Sequence, residues 1–100
     1  MIIAITDSNE DNFAIRFNDP SKADIVADCM ERGLGAWYAA TDPESYEDDL
    51  FTKEDIEGFY DAGYAEPTME LLKRNGIEFE CVDIEYDENN KIIADEVIHA

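Results

Sequence analysis

Basic residues are scarce in this chain. Its 100 residues include 7 Lys and Arg against 26 Asp and Glu, which gives a formal net charge of −19. Proteins that bind nucleic acid use Lys and Arg to displace counterions from phosphates, and proteins that dock on anionic membranes use the same side chains. The composition therefore argues against direct binding to nucleic acid or to membranes. It predicts a partner protein with a basic surface.

Long apolar segments are missing as well. No window of the sequence approaches the roughly 20 apolar residues of a membrane-spanning helix. Residues 1–11 contain no basic region and turn acidic at Asp7, so the sequence predicts no secretory signal peptide. We therefore expect a cytoplasmic protein.

Residue patterns typical of catalytic or metal-binding sites are few. The single histidine, His99, adjoins the C-terminus, where order is commonly poor, and no serine has a base nearby. Cys29 and Cys81 lack CxxC spacing and lie in apolar periodic stretches, which predicts buried free thiols. Two possible starts of an EF-hand calcium loop, at Asp83 and Asp87, both fail at required positions. The sequence therefore predicts no catalytic, cofactor-binding or metal site.

What is present is the patterning of a folded domain, with 45% apolar residues. Residues 2–6 and 13–17 flank a turn-forming stretch and predict a β-hairpin. Asp19-Pro20 predicts the start of a helix, because an N-cap acceptor precedes proline at the first helical position. Gly33 and Gly35 favour an end of that helix near these two residues.

Two further helices are predicted in the middle of the chain. Thr52 begins a sequence like a capping box, which predicts a helix over residues 53–62. The side chains expected on its buried face are Ile56, Phe59 and Tyr60. Pro67 predicts the start of a third helix, over residues 68–74.

The C-terminal third predicts a second hairpin. Apolar and polar residues alternate over residues 77–86, with a one-residue slip that indicates a β-bulge. Residues 87–90 are expected to form the turn, and residues 92–98 the returning strand. The order of elements predicts one α+β domain spanning residues 1–100. Its four-stranded antiparallel sheet would consist of two hairpins, with two or three helices on one face. Acids expected on the other face are Glu78, Glu80, Asp83 and Glu85.

The stretch Asp42–Asp61 concentrates the negative charge, with nine carboxylates and the single cation Lys53. Large apolar side chains interrupt it: Tyr46, Leu50, Phe51, Ile56, Phe59 and Tyr60. A solvating acidic tail would lack those side chains, because low hydrophobicity with high charge keeps a chain disordered. The acids therefore belong to a segment that folds.

Three interpretations of the acidic surface remain open. The first is a solvated surface adapted to high salt, although halophile proteins tend to use few isoleucines and asparagines and this chain has eleven and six. The second is a patch that docks a basic protein, as an immunity protein docks a toxic nuclease. The third is nucleic-acid mimicry, in which carboxylates stand where phosphates would.

Mimicry has a geometric basis. Residues three or four apart on a helix lie roughly 5 to 6 Å from each other, a pitch close to that of neighbouring phosphates on one strand. Two such rows occur in the sequence, Glu54/Glu57/Asp61 and Asp24/Asp28/Glu31. Exposed tyrosines could stand in for stacked bases or anchor a partner, the candidates being Tyr46, Tyr60 and Tyr64.

In size, charge and lack of catalytic groups the chain resembles the small acidic inhibitors that phages and mobile elements make against host defence, including anti-CRISPR proteins and antirestriction DNA mimics. This resemblance implies a non-catalytic inhibitor in the host-cell cytoplasm that occupies the DNA-, guide- or PAM-binding surface of a nuclease or CRISPR effector. The predicted partner-binding residues are Glu44, Glu47, Asp48, Asp49, Glu54, Asp55, Glu57 and Asp61. The predicted secondary face is Glu78, Glu80, Asp83 and Glu85. The alternative function is an immunity or adaptor protein.

Overall fold

The structure is a computed structural model that describes residues 1–9 and 12–100. Its strands are β1 (Ile2–Thr6), β2 (Phe13–Phe17), β3 (Phe79–Val82) and β4 (Glu96–His99). Its helices are α1 (Ala23–Tyr38), α2 (Lys53–Ala62) and α3 (Glu66–Arg74), and short 3-10 turns cover Pro20–Lys22, Ala39–Thr41 and Pro43–Ser45. The predicted α+β class, with four strands and three helices, is confirmed.

The sheet has the strand order β3-β2-β1-β4 and is mixed, so the prediction of a purely antiparallel sheet is wrong. β1 and β2 form the predicted first hairpin, with Ile3 opposite Ile15. β3 pairs antiparallel with β2, whereas β4 pairs parallel with β1. The two C-terminal strands therefore lie at opposite edges of the sheet.

The predicted second hairpin forms only at its tip. The Asp87 backbone amide donates to the Lys91 carbonyl at 2.8 Å, Asn90 adopts a positive φ of 61°, and one bridge joins Tyr86 to Ile92. The chain then crosses to β1, where the Asp95 amide donates to the Ile2 carbonyl at 2.9 Å. β3 ends at Val82, where the alternation slips, and its register with β2 is continuous, so the predicted bulge is absent from this strand.

One hydrophobic core lies between the sheet and the helices. The sheet supplies Ile3, Ile5, Phe13, Ile15 and Phe17, and the helices supply Val26, Met30, Leu34, Ile56 and Leu72. α1 packs on β1 and on α3 and continues through both glycines, which corrects the prediction that it ends there. Gly33 is buried where α1 meets α3, so the missing side chain permits the close approach of Thr68.

The opposite face of the sheet is not the acidic surface predicted for it. Ala4 and Ala14 point to that face, by alternation with the core residues, and both are buried. Glu80 is the one predicted acid within β3, since Glu78, Asp83 and Glu85 lie outside the strand. All four are exposed, but three of them belong to the connections that flank the strand.

Helices α2 and α3 lie where the sequence predicts them. The α2 bounds match, and the Thr52 hydroxyl and the Asp55 carboxylate form a reciprocal capping box. α3 begins at Glu66, one residue before the proline, and its C-terminal turn closes at Gly76 with a φ of 67°. No helix among residues 1–9 and 12–100 is long and apolar enough to span a membrane.

Three smaller predictions meet different outcomes. The turn predicted at residues 7–11 includes Glu10 and Asp11, which lie outside the described residues, and within the described part the Asn9 amide donates to the Asp7 carboxylate at 2.9 Å. Cys29 is buried as predicted, but Cys81 is exposed because β3 is an edge strand. His99 is not frayed, since it lies in β4 opposite Thr6.

Candidate partner-binding surface

Aromatic side chains attach the acidic stretch Asp42–Asp61 to the core. Phe51 is buried, with its ring centroid 4.8 Å from that of Phe59 in an edge-to-face arrangement and 6.4 Å from that of Tyr46. The Arg74 guanidinium lies 4.7 Å from the centre of the Phe51 ring and also donates to the Leu50 carbonyl. These contacts tie the loop before α2 to α3, so the acids of that loop are carried on a packed segment.

All twelve predicted partner-binding acids are exposed. Glu44 lies in the 3-10 turn Pro43–Ser45, and three acids occupy the loop that follows: Glu47, Asp48 and Asp49. Four lie on α2: Glu54, Asp55, Glu57 and Asp61. The eight primary candidates therefore belong to one continuous segment, whereas the secondary set flanks the β3 edge of the sheet.

Several predicted acids already have cationic partners within the chain. Lys53 Nζ donates to Glu44 at 2.7 Å. Arg32 is bound to Asp28 at 2.9 Å and lies 3.8 Å from Asp48. These pairs are exposed and therefore weak, but they lower the negative charge available at Glu44 and Asp48.

Glu80 and Asp55 also have partners. Glu80 pairs with Arg16, its cross-strand neighbour, and Asp55 accepts the Thr52 amide of the α2 capping box at 3.2 Å. The capping role and the i,i+4 spacing of Asp28 and Arg32 were readable from the sequence. The pairs between Glu44 and Lys53 and between Arg16 and Glu80 follow from the fold, because they join residues distant in the sequence.

Five primary candidates remain without an ion-pair or hydrogen-bond partner in the described part of the chain; we call them the open carboxylates. They are Glu47, Asp49, Glu54, Glu57 and Asp61. Three of them, Glu54, Glu57 and Asp61, form the predicted row along α2, one or two helical turns apart. Their charge is available to an incoming cationic surface.

Tyr60 is the most exposed large apolar side chain of the surface, at 63% of its full accessibility. The prediction that it points into the core is therefore wrong and its prediction as an exposed tyrosine is confirmed, because this turn of α2 buries Phe59 and turns Tyr60 outward. Tyr60 follows Glu57 by three residues and precedes Asp61, so the phenol lies beside the acidic row. Tyr46 and Tyr64 are half-buried, and the Tyr64 hydroxyl donates to the Asn12 carbonyl at 3.0 Å.

Burial and nearby negative charge both act on the phenol of Tyr46. Burial raises the pKa of its phenol above the ordinary value of 10.0, and the Asp48 carboxylate adds to the effect. The phenol is neutral at physiological pH, and its ring packs against Phe51.

Within residues 1–9 and 12–100, no group of three His, Cys, Asp or Glu side chains is arranged to hold a metal ion. The fold and surface together define a small α+β protein with an anionic helical face. Comparison with protein-family models, curated proteins and solved structures found no match.

Proposed function

We propose that this protein is a non-catalytic inhibitor of the anti-CRISPR or antirestriction type. It binds the basic nucleic-acid-binding surface of a nuclease or CRISPR effector in the cytoplasm, which is the host-cell cytoplasm if the gene is phage-encoded. The partner's Arg and Lys side chains, which otherwise contact phosphates, contact the carboxylates of α2 and of the loop before it.

The observation that carries this proposal is the set of open carboxylates on a fixed scaffold. A row of three carboxylates on a capped helix presents negative charge at a pitch similar to that of phosphates. The helix is held by buried Ile56 and Phe59, so the row forms before a partner arrives. Preformed charge costs little ordering entropy on binding, and complementary charge speeds association.

Charge reversal along α2 tests the proposal. The triple variant Glu54→Lys, Glu57→Lys and Asp61→Lys should abolish binding to a nuclease partner, because it replaces attraction by repulsion at three adjacent positions. Asp55 is left unchanged because its side chain caps the helix. Binding is measured by capture of the partner from a nuclease-bearing host lysate, and circular dichroism checks that the fold is retained.

A matched variant controls for net charge. Glu88 and Glu96 are exposed acids outside the predicted faces and the predicted rows, and their reversal to Lys changes the net charge as much as the double α2 variant Glu54→Lys and Glu57→Lys, with which it is compared. This variant should still capture the partner. Equal loss in both variants would show a general charge effect, and binding by the folded α2 variant would place the interface elsewhere.

The alternative, an immunity or adaptor protein, is favoured by the exposure of Tyr60. Interfaces of that kind take most of their energy from a few aromatic anchors. Tyr60→Ala should then weaken binding by about 2 kcal/mol or more, and affinity should change little with salt. Mimicry instead predicts affinity that falls steeply from low to moderate salt, together with a smaller effect of Tyr60→Ala. Binding constants of the wild type and of Tyr60→Ala, measured over a salt series, separate the two functions.

A further inference from the structure

A cleft of about 660 Å³ lies on the sheet face opposite the helices. Thr6, Val97 and His99 line it from β1 and β4, where Thr6 pairs with His99 and Ala4 pairs with Val97. Their side chains alternate with Ile5 and Ile98, which belong to or pack against the core, so they point away from it. The Tyr86–Ile92 turn forms the other wall. The volume is within the range of about 300–1,000 Å³ typical of small-molecule sites.

The described residues that line this cleft differ in charge from the rest of the described chain. Eight described residues line it, and none of them is acidic, although acids make up 26 of the 100 residues. Lys91 and the single histidine, His99, are both among the eight. Lys91 has no ion-pair partner within residues 1–9 and 12–100. A cation without a partner, in a concave site on an anionic protein, is available to an anionic ligand.

Neutral groups in the cleft suit a planar, hydrogen-bonding ring. The Tyr86 side chain is 53% exposed, and its hydroxyl accepts a hydrogen bond from Asn12 Nδ2 at 3.2 Å, which fixes the position of the phenol. Asn90 also lines the site and carries an amide with both donors and an acceptor. Base rings stack on tyrosine, and amide side chains bond to the edges of bases.

We propose that the cleft binds a nucleoside monophosphate, with the base against Tyr86 and the phosphate beside Lys91 and His99. A longer nucleic acid is disfavoured, because each further phosphate meets the field of a chain with a net charge of −19. The site lies apart from the open carboxylates, so this inference does not depend on the proposed inhibitor function.

The test uses the full chain and the four common nucleoside 5′-monophosphates. Each is titrated into ¹⁵N-labelled protein, with the matching nucleoside and inorganic phosphate as separate probes. At least one nucleotide should shift the amide signals of Thr6, Lys91 and His99, and should bind more tightly than either of its parts. Lys91→Gln should weaken that binding about tenfold, as expected for loss of one charge-assisted hydrogen bond.

Lys73→Gln provides the matched control. Lys73 is also exposed, and its replacement removes the same charge from α3, away from the cleft. The control should bind the nucleotide as the wild type does. Three results would overturn the inference: no shift at the cleft with any of the four nucleotides, equal affinity for the nucleoside alone, or equal weakening by the two lysine variants.

Discussion

Gly33 shows how a single residue limits the approach of two helices. A Cβ atom at this position would lie 2.2 Å from Thr68 Oγ1 and 2.6 Å from the Thr68 backbone nitrogen. Because part of that contact is backbone, α3 itself would have to move. We expect Gly33→Ala to lower the free energy of unfolding by about 1–3 kcal/mol, despite the better helix propensity of alanine.

Gly35 is the matched control on the same helix. It is exposed, and an added Cβ would meet no atom within 4 Å. Gly35→Ala should raise the free energy of unfolding by about 0.5–1 kcal/mol. Urea denaturation of the two variants measures both effects. A stabilised Gly33→Ala variant would contradict the close packing of α1 on α3.

The buried thiol of Cys29 should affect the stability of the protein at alkaline pH. Burial, and secondarily the charge of Asp28, raises the pKa of this thiol above its ordinary value of 9.0. As pH rises above that value, the unfolded chain loses the proton first, so the folded state binds more protons and loses stability. The free energy of unfolding should therefore decline above about pH 9, and Cys29→Ala should flatten the decline. An unchanged slope in that variant would contradict this origin.

At the scale of elements, α2 depends on its N-terminal cap. The Thr52 hydroxyl accepts the Asp55 amide at 3.1 Å, and the Asp55 carboxylate accepts the Thr52 amide in return. Thr52→Ala should lower the free energy of unfolding by about 0.5–2 kcal/mol, because it leaves a helix N–H without its acceptor. Thr41→Ala is the control, since that exposed hydroxyl donates only a long bond of 3.3 Å to the Tyr38 carbonyl. Equal denaturation midpoints for the two variants would show that the cap adds no stability.

The comparison of α2 with β4 explains how much of the fold the sequence could predict. The start and end of α2 depend on local chemistry at Thr52 and Gly63, so its bounds were predictable. The pairing of β4 depends on distant residues, because a period-2 pattern is the same for parallel and antiparallel partners. The 13-residue connection between Val82 and Glu96 is long enough for a crossover, whereas the sequence pattern predicts a hairpin turn at residues 87–90 within it.

In the candidate site too, features set by neighbouring residues were predictable and features set by distant residues were not. The acidic row along α2 was predictable from helical spacing alone. Which acids are already paired was not, since Lys53 reaches Glu44 and Arg32 reaches Asp48 only after the loop packs. The sequence left Tyr60 assigned both to the buried face of α2 and to the exposed tyrosines, because neighbouring aromatic residues on a short helix do not reveal which of them the core accepts.

At the scale of the whole molecule, repulsion among the acidic side chains should determine how added salt changes the stability of the fold. A net charge of −19 on 100 residues destabilises the compact state, and added salt screens that repulsion. The melting temperature at pH 7 should therefore rise as sodium chloride is added. The α2 triple reversal, which makes the net charge six units less negative, should show a smaller rise. A melting temperature that falls with added salt would contradict this description of the charge.

Competition with nucleic acid tests the central claim most directly. The captured partner is mixed with this protein and with labelled nucleic acid that the partner binds, and the complexes are separated by size. If the open carboxylates occupy the positions of phosphates, each ligand displaces the other and no complex contains both. A stable ternary complex of partner, nucleic acid and this protein would contradict mimicry.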